Sequence, residues 1–435
     1  MMLKRLFYAL PITLITGALV RLATVGFIDF SSFNWSKPRP DLLMEYGVIA
    51  RNLADGLGYS YTWYTSSGLP MTLPSAYMPP GLVFLEYGII EIFGYTIAAA
   101  LAIFIIHLLM GVASIWLIGK ITDRMFSDHR ISGVARWIVA LYPPFIYTAM
   151  SFGITTLVMF VSLGVLHNAL ALADKIQRGD PTLRSMILLG ASCGLLMLTR
   201  GEGPLIVLAT FVVLAIKLHS IEAYRFRQLL APIVIAFILI APWTIRNYLV
   251  FDEFIPVSSN GSFNFWRGNN GITSGSPLNE TGDPLWSTDD LWKKTEPALA
   301  TGVDFENSLS SAYQDAALQW IRNNPDDAVL LAFRKAVIFW TFDVRNTLSG
   351  WAYIVFHTLA LGAVIFGTGR LIRRPKRLNK LSNLGVSLMA TWAVLATIIA
   401  MIFIPLVRFQ IVTMAMLVPI AAYGIDAVFA RSTSR

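Results

Sequence analysis

Runs of apolar residues separated by short basic turns dominate the chain. They fall at 7–28, 97–119, 134–150, 152–173, 185–199, 202–217, 228–246, 351–370, 384–405 and 409–429. About 20 apolar residues carry a helix across a bilayer, so the pattern predicts about ten spans. With the N-terminus inside, one side receives Lys120, Arg124, Arg130 and Arg136, then Lys175, Arg178 and Arg184, then Lys217, Arg225 and Arg227. The same side takes RLIRRPKRLNK at 370–380 and the tail with Arg431 and Arg435. This is the Lys/Arg bias of cytoplasmic loops. The alternation closes only if the apolar piece at 81–94, GLVFLEYGIIEIFG, does not cross. Its shortness and its two Glu predict a re-entrant or surface helix. The first run follows Lys4 and Arg5 without a small-residue cleavage site and is expected as a retained span.

Two segments, 29–96 and 247–350, then lie outside. Both are rich in Trp, Tyr, Asn, Gly and Pro, and such long aromatic loops are expected to fold. The second predicts a small helical cap, with a helix over 304–324 and a surface-lying helix over 326–340 after Pro325. In the first, RPDLLMEYGVIARNLADGLGYSY at 39–61 reads as an amphipathic helix. Asp41, Glu45, Val48 and Asn52 share one face and Leu42, Tyr46, Ile49 and Leu53 another, which suits a helix at the membrane surface with its acids toward water or a cavity. The chain thus divides into a transmembrane module at 1–246, including the outer loop 29–96, a cap region at 247–350, and C-terminal helices at 351–435.

Composition agrees. Of 435 residues 55% are hydrophobic and 14% charged, with mean hydropathy +0.61, where a soluble domain carries about 25% charged residues. The net charge of +8 comes from basic residues placed where topology needs them, so it reports orientation and not nucleic-acid binding. The lone Cys193 excludes an intramolecular disulfide and a cysteine metal site, and five scattered His form no zinc set. No GxSxG, P-loop or GxGxxG is present at a strand–helix junction.

The candidate chemistry therefore sits at the outer boundary, where an activated substrate must arrive in the lipid. Asp41 or Glu45 suits a general base for an acceptor hydroxyl or amine. Arg246 in APWTIRNY, Arg267 in NGSFNFWRGNN and Arg408 in IPLVRFQ oppose the inside bias and suit phosphate oxygens. Lys335 is a further cation. In TRGEG, Arg200 and Glu202 read as a structural ion pair or helix-end anchor.

Four stretches then resemble a known family: MEYGVIARNLADGLGYS, PSAYMPPGLVFLEYGIIEIFG, APWTIRNYLVFDEFIPVSSNGSFNFWRGNN and VRFQIVTMAMLVP. With the order of spans they resemble the GT-C membrane glycosyltransferases, particularly the family-39-like group that includes protein O-mannosyltransferases and the bacterial lipid A aminoarabinose transferase. The resemblance covers nearly the whole length. It implies an all-α polytopic GT-C-like fold, with surface helices in the first external loop and a small external cap. It also implies a polyprenyl-phosphate sugar donor, an acid of the first external loop as base, and Arg residues on the phosphate. Many relatives place that acid three or four residues ahead of the Tyr at the position of Tyr46. Here Asp41 is five ahead and Glu45 one ahead, so both are candidates, Glu45 first. A Glu common in the family at the outer start of the fourth span is replaced by Thr155 and Thr156.

The expected function is inverting transfer of the sugar to a cell-envelope acceptor (lipid A, O-antigen, wall glycan or protein) at the outer face of a bacterial inner membrane. Arg246, Arg267, Arg408 and Lys335 would bind the donor phosphate. Tyr46, Tyr59, Tyr77, Asn260, Trp266, Asn269 and Asn270 would form the substrate loops. Membrane lipids are the surroundings, nucleic acid is no partner, and neither a metal nor another cofactor is expected. The other class considered is a transporter or flippase of lipid-linked saccharides, which would predict paired, broken half-helices related by internal symmetry.

Overall fold

The computed structural model describes residues 9–27, 44–279, 281, 285, 289–301, 304–343, 350–373 and 379–432. Helix α1 (Leu10–Ala23) is followed in the first outer segment by α2 (Met44–Ala54), strands β1 (Ser60–Tyr64) and β2 (Pro70–Pro74), and α3 (Pro80–Phe93). Next come α4 (Ile97–Phe126), α5 (His129–Leu141), α6 (Pro143–Met150), α7 (Thr155–Arg178), α8 (Leu183–Thr199), α9 (Gly203–Leu218) and α10 (Arg227–Phe251). The second outer segment carries α11 (Gly261–Arg267), α12 (Asp289–Thr301), α13 (Phe305–Asn323) and α14 (Pro325–Trp340). Helices α15 (Trp351–Arg373), α16 (Lys380–Ile402) and α17 (Val407–Ser432) complete the chain.

Helices α4, α7, α10, α15, α16 and α17 are long and apolar enough to cross a membrane, and α1, α8 and α9 are shorter apolar helices. The protein is a multi-pass membrane protein. The expected span at 134–150 is instead two helices, α5 and α6, broken at Tyr142. Pro143 and Pro144 cause the break: neither has an N–H, and the residue before proline is driven to extended backbone. The break frees carbonyls inside the apolar bundle. Arg21 of α1, fully buried, donates to the Val139 and Ala140 oxygens at 3.0 and 3.3 Å and to Phe145 O at 3.5 Å. Gly111 makes room for it, since a Cβ there would lie 2.8 Å from the Arg21 Nε.

The first outer segment departs from expectation in three ways. Helix α2 is not surface-lying: Tyr46, Val48, Ile49, Ala50 and Asn52 are all buried, so both of its expected faces are covered. It packs on α3 and β1, and its Asn52 Nδ2 donates to Ser60 O at 3.0 Å and Thr62 Oγ1 at 3.1 Å. Strands β1 and β2 form an antiparallel hairpin, with Thr62 opposite Thr72, that the apolar pattern did not announce. Helix α3 does stop short of a span, yet Glu86, expected to hold it at the surface, is fully buried. Burial pushes the Glu86 carboxyl well above the usual carboxylate range, because the apolar surroundings disfavour its charged form.

Glutamates fasten the cap to this segment. Glu306 of α13 is buried and accepts from Ala76 N at 2.8 Å and Ser259 Oγ at 2.6 Å. Glu296 of α12 accepts from Ser66 N at 2.7 Å and Ser66 Oγ at 2.6 Å in the hairpin turn. Phe305 stacks edge-on against Trp63 at 5.2 Å beside them. The first outer segment, as the Lys/Arg pattern names it, and the cap are thereby joined into one folded layer.

Candidate functional site: a cationic cavity over an apolar cleft

The α8–α9 turn, the start of α11, the α16–α17 turn and helix α2 meet around a cavity of about 200 Å³. Tyr46, Pro79, Arg200, Glu202, Asn260, Asn264, Arg408 and Phe409 line it. The up-and-down path of the spans brings these turns to the end that the Lys/Arg pattern assigns to the outside. Below it a narrower cavity of about 50 Å³ shares Arg200, Glu202, Ile399 and Phe409. Its remaining wall is mostly apolar, with Val158, Leu196, Trp392 and Met416 from α7, α8, α16 and α17. The upper chamber thus leads into an apolar cleft between membrane helices.

Two arginines at the junction differ in their engagement. Arg200 is buried, ion-paired to Glu202, and lies over the Phe409 ring at 4.0 Å. Arg408 is half-buried and reaches only the edge of cation–π range over the same ring, at 5.7 Å. Among the described residues no carboxylate or hydrogen-bond acceptor holds the Arg408 guanidinium, and its Nε is buried without a partner. An uncompensated buried donor is costly, and an anion at this position would relieve that cost. Tyr46 reports the same field. Burial raises its hydroxyl to about 12, while Arg408 and Arg200 pull it back.

The remaining candidates sort by location. Glu45 lies half-buried in the first turn of α2, and its charge acts on Tyr46, Tyr77 and Arg267. Asp41 lies outside the described residues. Arg267 is buried, stacks over Phe263 at 5.1 Å and donates to Pro277 O at 3.2 Å. Burial lowers it to about 10, an effect that the Tyr77 and Glu45 charges oppose. Burial first and Glu45 second hold the Tyr77 hydroxyl well above its usual range. Glu45, Tyr77, Arg267 and Arg408 form one electrostatic group beside the cavity.

Six candidate residues serve the frame. Arg246 is not brought to the cavity. It donates to Ser75 O at 2.7 Å and Tyr59 O at 2.8 Å and lies 5.2 Å from the Trp243 ring, stapling the first outer segment to α10. The Tyr59 hydroxyl is spent on Met78 O at 2.8 Å. Lys335, fully buried, donates to Gly268 O at 3.0 Å, Asn269 Oδ1 at 3.1 Å and Phe403 O at 3.1 Å, tying the turn after α11 to the α16–α17 turn. Asn269 adds Ile402 O at 2.8 Å. Trp266 is a core residue of the cap against Tyr313 at 5.2 Å, and Asn270 caps α11 through Trp266 O at 2.7 Å. Of the expected substrate-loop residues, Tyr46 and Asn260 line the cavity.

Arg200 and Glu202 form the expected ion pair, and the pair also lines the chamber. The available signal was a cation at an outer helix end, the same signal that singled out Arg246 and Arg408. Among the described residues no group of three His, Cys, Asp or Glu side chains is placed to hold a metal ion.

No protein-family model and no curated protein matches the chain. Solved structures do. The apo oligosaccharyltransferase of Archaeoglobus fulgidus superposes with a TM-score of 0.56 at 15% identity, over 98% of this chain and 51% of that one. The same organism's enzyme in complex with Zn and sulfate gives 0.55 at 16% identity, over 96% and 49%. Its oligosaccharyltransferase AglB, with an inhibitory peptide and a dolichol-phosphate, gives 0.53 at 15%, over 97% and 50%. The chain spans about half the length of these structures, and the similarity is one of architecture. It has the GT-C fold of membrane glycosyltransferases.

Proposed function

We propose that the protein moves a sugar from a polyprenyl-phosphate donor to a cell-envelope acceptor at the outer face of a bacterial inner membrane. The observation that carries this reading is the unpartnered Arg408 guanidinium in a chamber that continues into an apolar cleft. An anion attached to a long apolar chain matches that combination. Its phosphate would sit against Arg408 and Arg200, with Arg267 close by, and its isoprenyl chain would run between α7, α8, α16 and α17. A related fold with dolichol-phosphate bound supports the donor class. Arg246 and Lys335, first considered for the phosphate, hold the walls of the chamber instead.

In the reaction, an acceptor O–H or N–H attacks the anomeric carbon from the face opposite the phosphate. The new bond forms as the C–O bond to phosphate breaks, with inversion. Glu45 or Asp41 takes the acceptor proton. The phosphate leaves as an anion already stabilised by arginine, so no strong general acid is needed. Tyr46, which lines the chamber with Arg200 and Arg408, would orient the sugar. Mass spectrometry of envelope lipids, glycans and proteins from cells with the parent chain or the Glu45→Gln and Asp41→Asn double variant tests the proposal. One glycan decoration should vanish in the variant. Identical envelopes would rule out glycosyl transfer to these acceptors.

A further inference from the structure

A second cavity, of about 430 Å³, lies on the far side of α11, where α13 turns at Asn324 into α14. The segment 260–271 separates the two chambers: Asn260, Gly261 and Asn264 face the cationic one, while Asn270 and Gly271 face this one. A seven-residue helix spans about 10 Å at 1.5 Å per residue, so the chambers are neighbours. The second presents the Trp320 indole, the Asn324 amide, the Asp327 carboxylate, the Arg334 guanidinium and an apolar edge at Leu330.

Among the described residues no acceptor takes the Trp320 indole N–H, and no cation pairs with Asp327. Gly271 keeps the indole reachable, since a Cβ there would come within 3.4 Å of the Trp320 Nε1. A pyranose has a C–H face and a rim of hydroxyls. An indole covers the first, and amide and carboxylate groups pair with the second. The cavity also runs into a stripe of exposed apolar residues on α14, namely Leu330, Phe333 and Val337. The opposite face of α14 packs on the membrane helix α16. An exposed apolar stripe beside a membrane helix suits contact with lipid chains.

We infer that this cavity binds the saccharide headgroup of a lipid, with its chain lying along Leu330, Phe333 and Val337. The inference deepens the proposed transferase reading, on which the word acceptor rests, by making the acceptor a glycolipid and not a protein. The test places a photoreactive p-benzoylphenylalanine in place of Leu330 in the full chain, in living cells. After irradiation and purification, adduct masses are read by mass spectrometry. A lipid bearing hexose or related sugar units is expected, and Trp320→Phe and Asp327→Asn, both mild at part-exposed sites, should each lower its yield at least tenfold. A phospholipid adduct only, a lipid-free saccharide, the polyprenyl-phosphate donor itself, or no adduct overturns the inference. If the glycolipid adduct forms while envelope glycans do not depend on Glu45 and Asp41, the binding site stands and the transferase reading falls.

Discussion

Glu45 and Asp41 pose the sharpest question at the scale of single residues. Glu45 adjoins Tyr46, which lines the cavity, and its charge acts on the Arg267 and Tyr77 side chains beside it. A nearly isosteric Glu45→Gln variant should lose about two orders of magnitude in turnover, the scale of a general base, with donor binding intact. Asp41→Asn should cost less, because an acid right after Pro40 suits a helix start, where Asn also caps. An inactive Asp41→Asn beside an active Glu45→Gln would reverse the roles. The sequence singled out the two acids by their spacing on one helix face and the arginines because they oppose the inside bias. It did not separate Arg408 from Arg246. Both sit at outer helix ends, and only the tertiary path shows that Arg246 meets the Ser75 and Tyr59 carbonyls while Arg408 meets open space.

Among the elements, the strut between α11 and α16 has the tightest tolerance. A Cβ at Gly268 would lie 1.6 Å from the Phe403 carbonyl oxygen, an overlap that only displacement of a turn relieves. Gly268→Ala should therefore cost about 3 kcal/mol or more in detergent unfolding. Lys335→Met should cost about 1–3 kcal/mol through carbonyls left without a donor. The Glu306 latch gives a dependence on pH. Burial raises its carboxyl above the usual value of 4.5, against the pull of Ser259, Ala76 and Arg246. Its contribution to stability is then full below 4.5 and is lost as pH rises through the higher folded value. Glu306→Gln keeps the acceptor oxygen without the charge. Its melting temperature should match the parent's in acid and exceed it at neutral pH and above. A difference of the opposite sign would mean that the carboxylate is held ionised. The elements also show where pattern reading stops. Apolar periodicity marked α2 as two-faced, but the hairpin and α3 cover both faces, and coverage by remote chain leaves no periodic trace. The Pro143–Pro144 pair was visible, yet a long apolar run outweighed it.

At the scale of the whole molecule, alternating basic loops, one short apolar piece and two long aromatic segments were enough for the multi-pass membrane architecture. Topology remains directly measurable, because the lone Cys193 is fully buried. An impermeant thiol reagent added outside should label Arg322→Cys on the cap and leave Lys380→Cys at the start of α16 unlabelled. The reverse would invert the molecule and move the cationic chamber to the wrong side for a lipid-delivered sugar. The measurement that bears most directly on that chamber is native mass spectrometry of the purified chain with polyprenyl phosphate, titrated across the parent, Arg408→Ala, Arg408→Lys and Arg246→Ala. A charge-assisted contact of about 1.5–3 kcal/mol corresponds to roughly 10–150-fold in affinity. Arg408→Ala should lose that much, Arg408→Lys should recover part of it without the bidentate fork, and Arg246→Ala should unfold more easily while the folded fraction binds as the parent does. Parent-like affinity in Arg408→Ala, with binding lost in folded Arg246→Ala, would contradict the account.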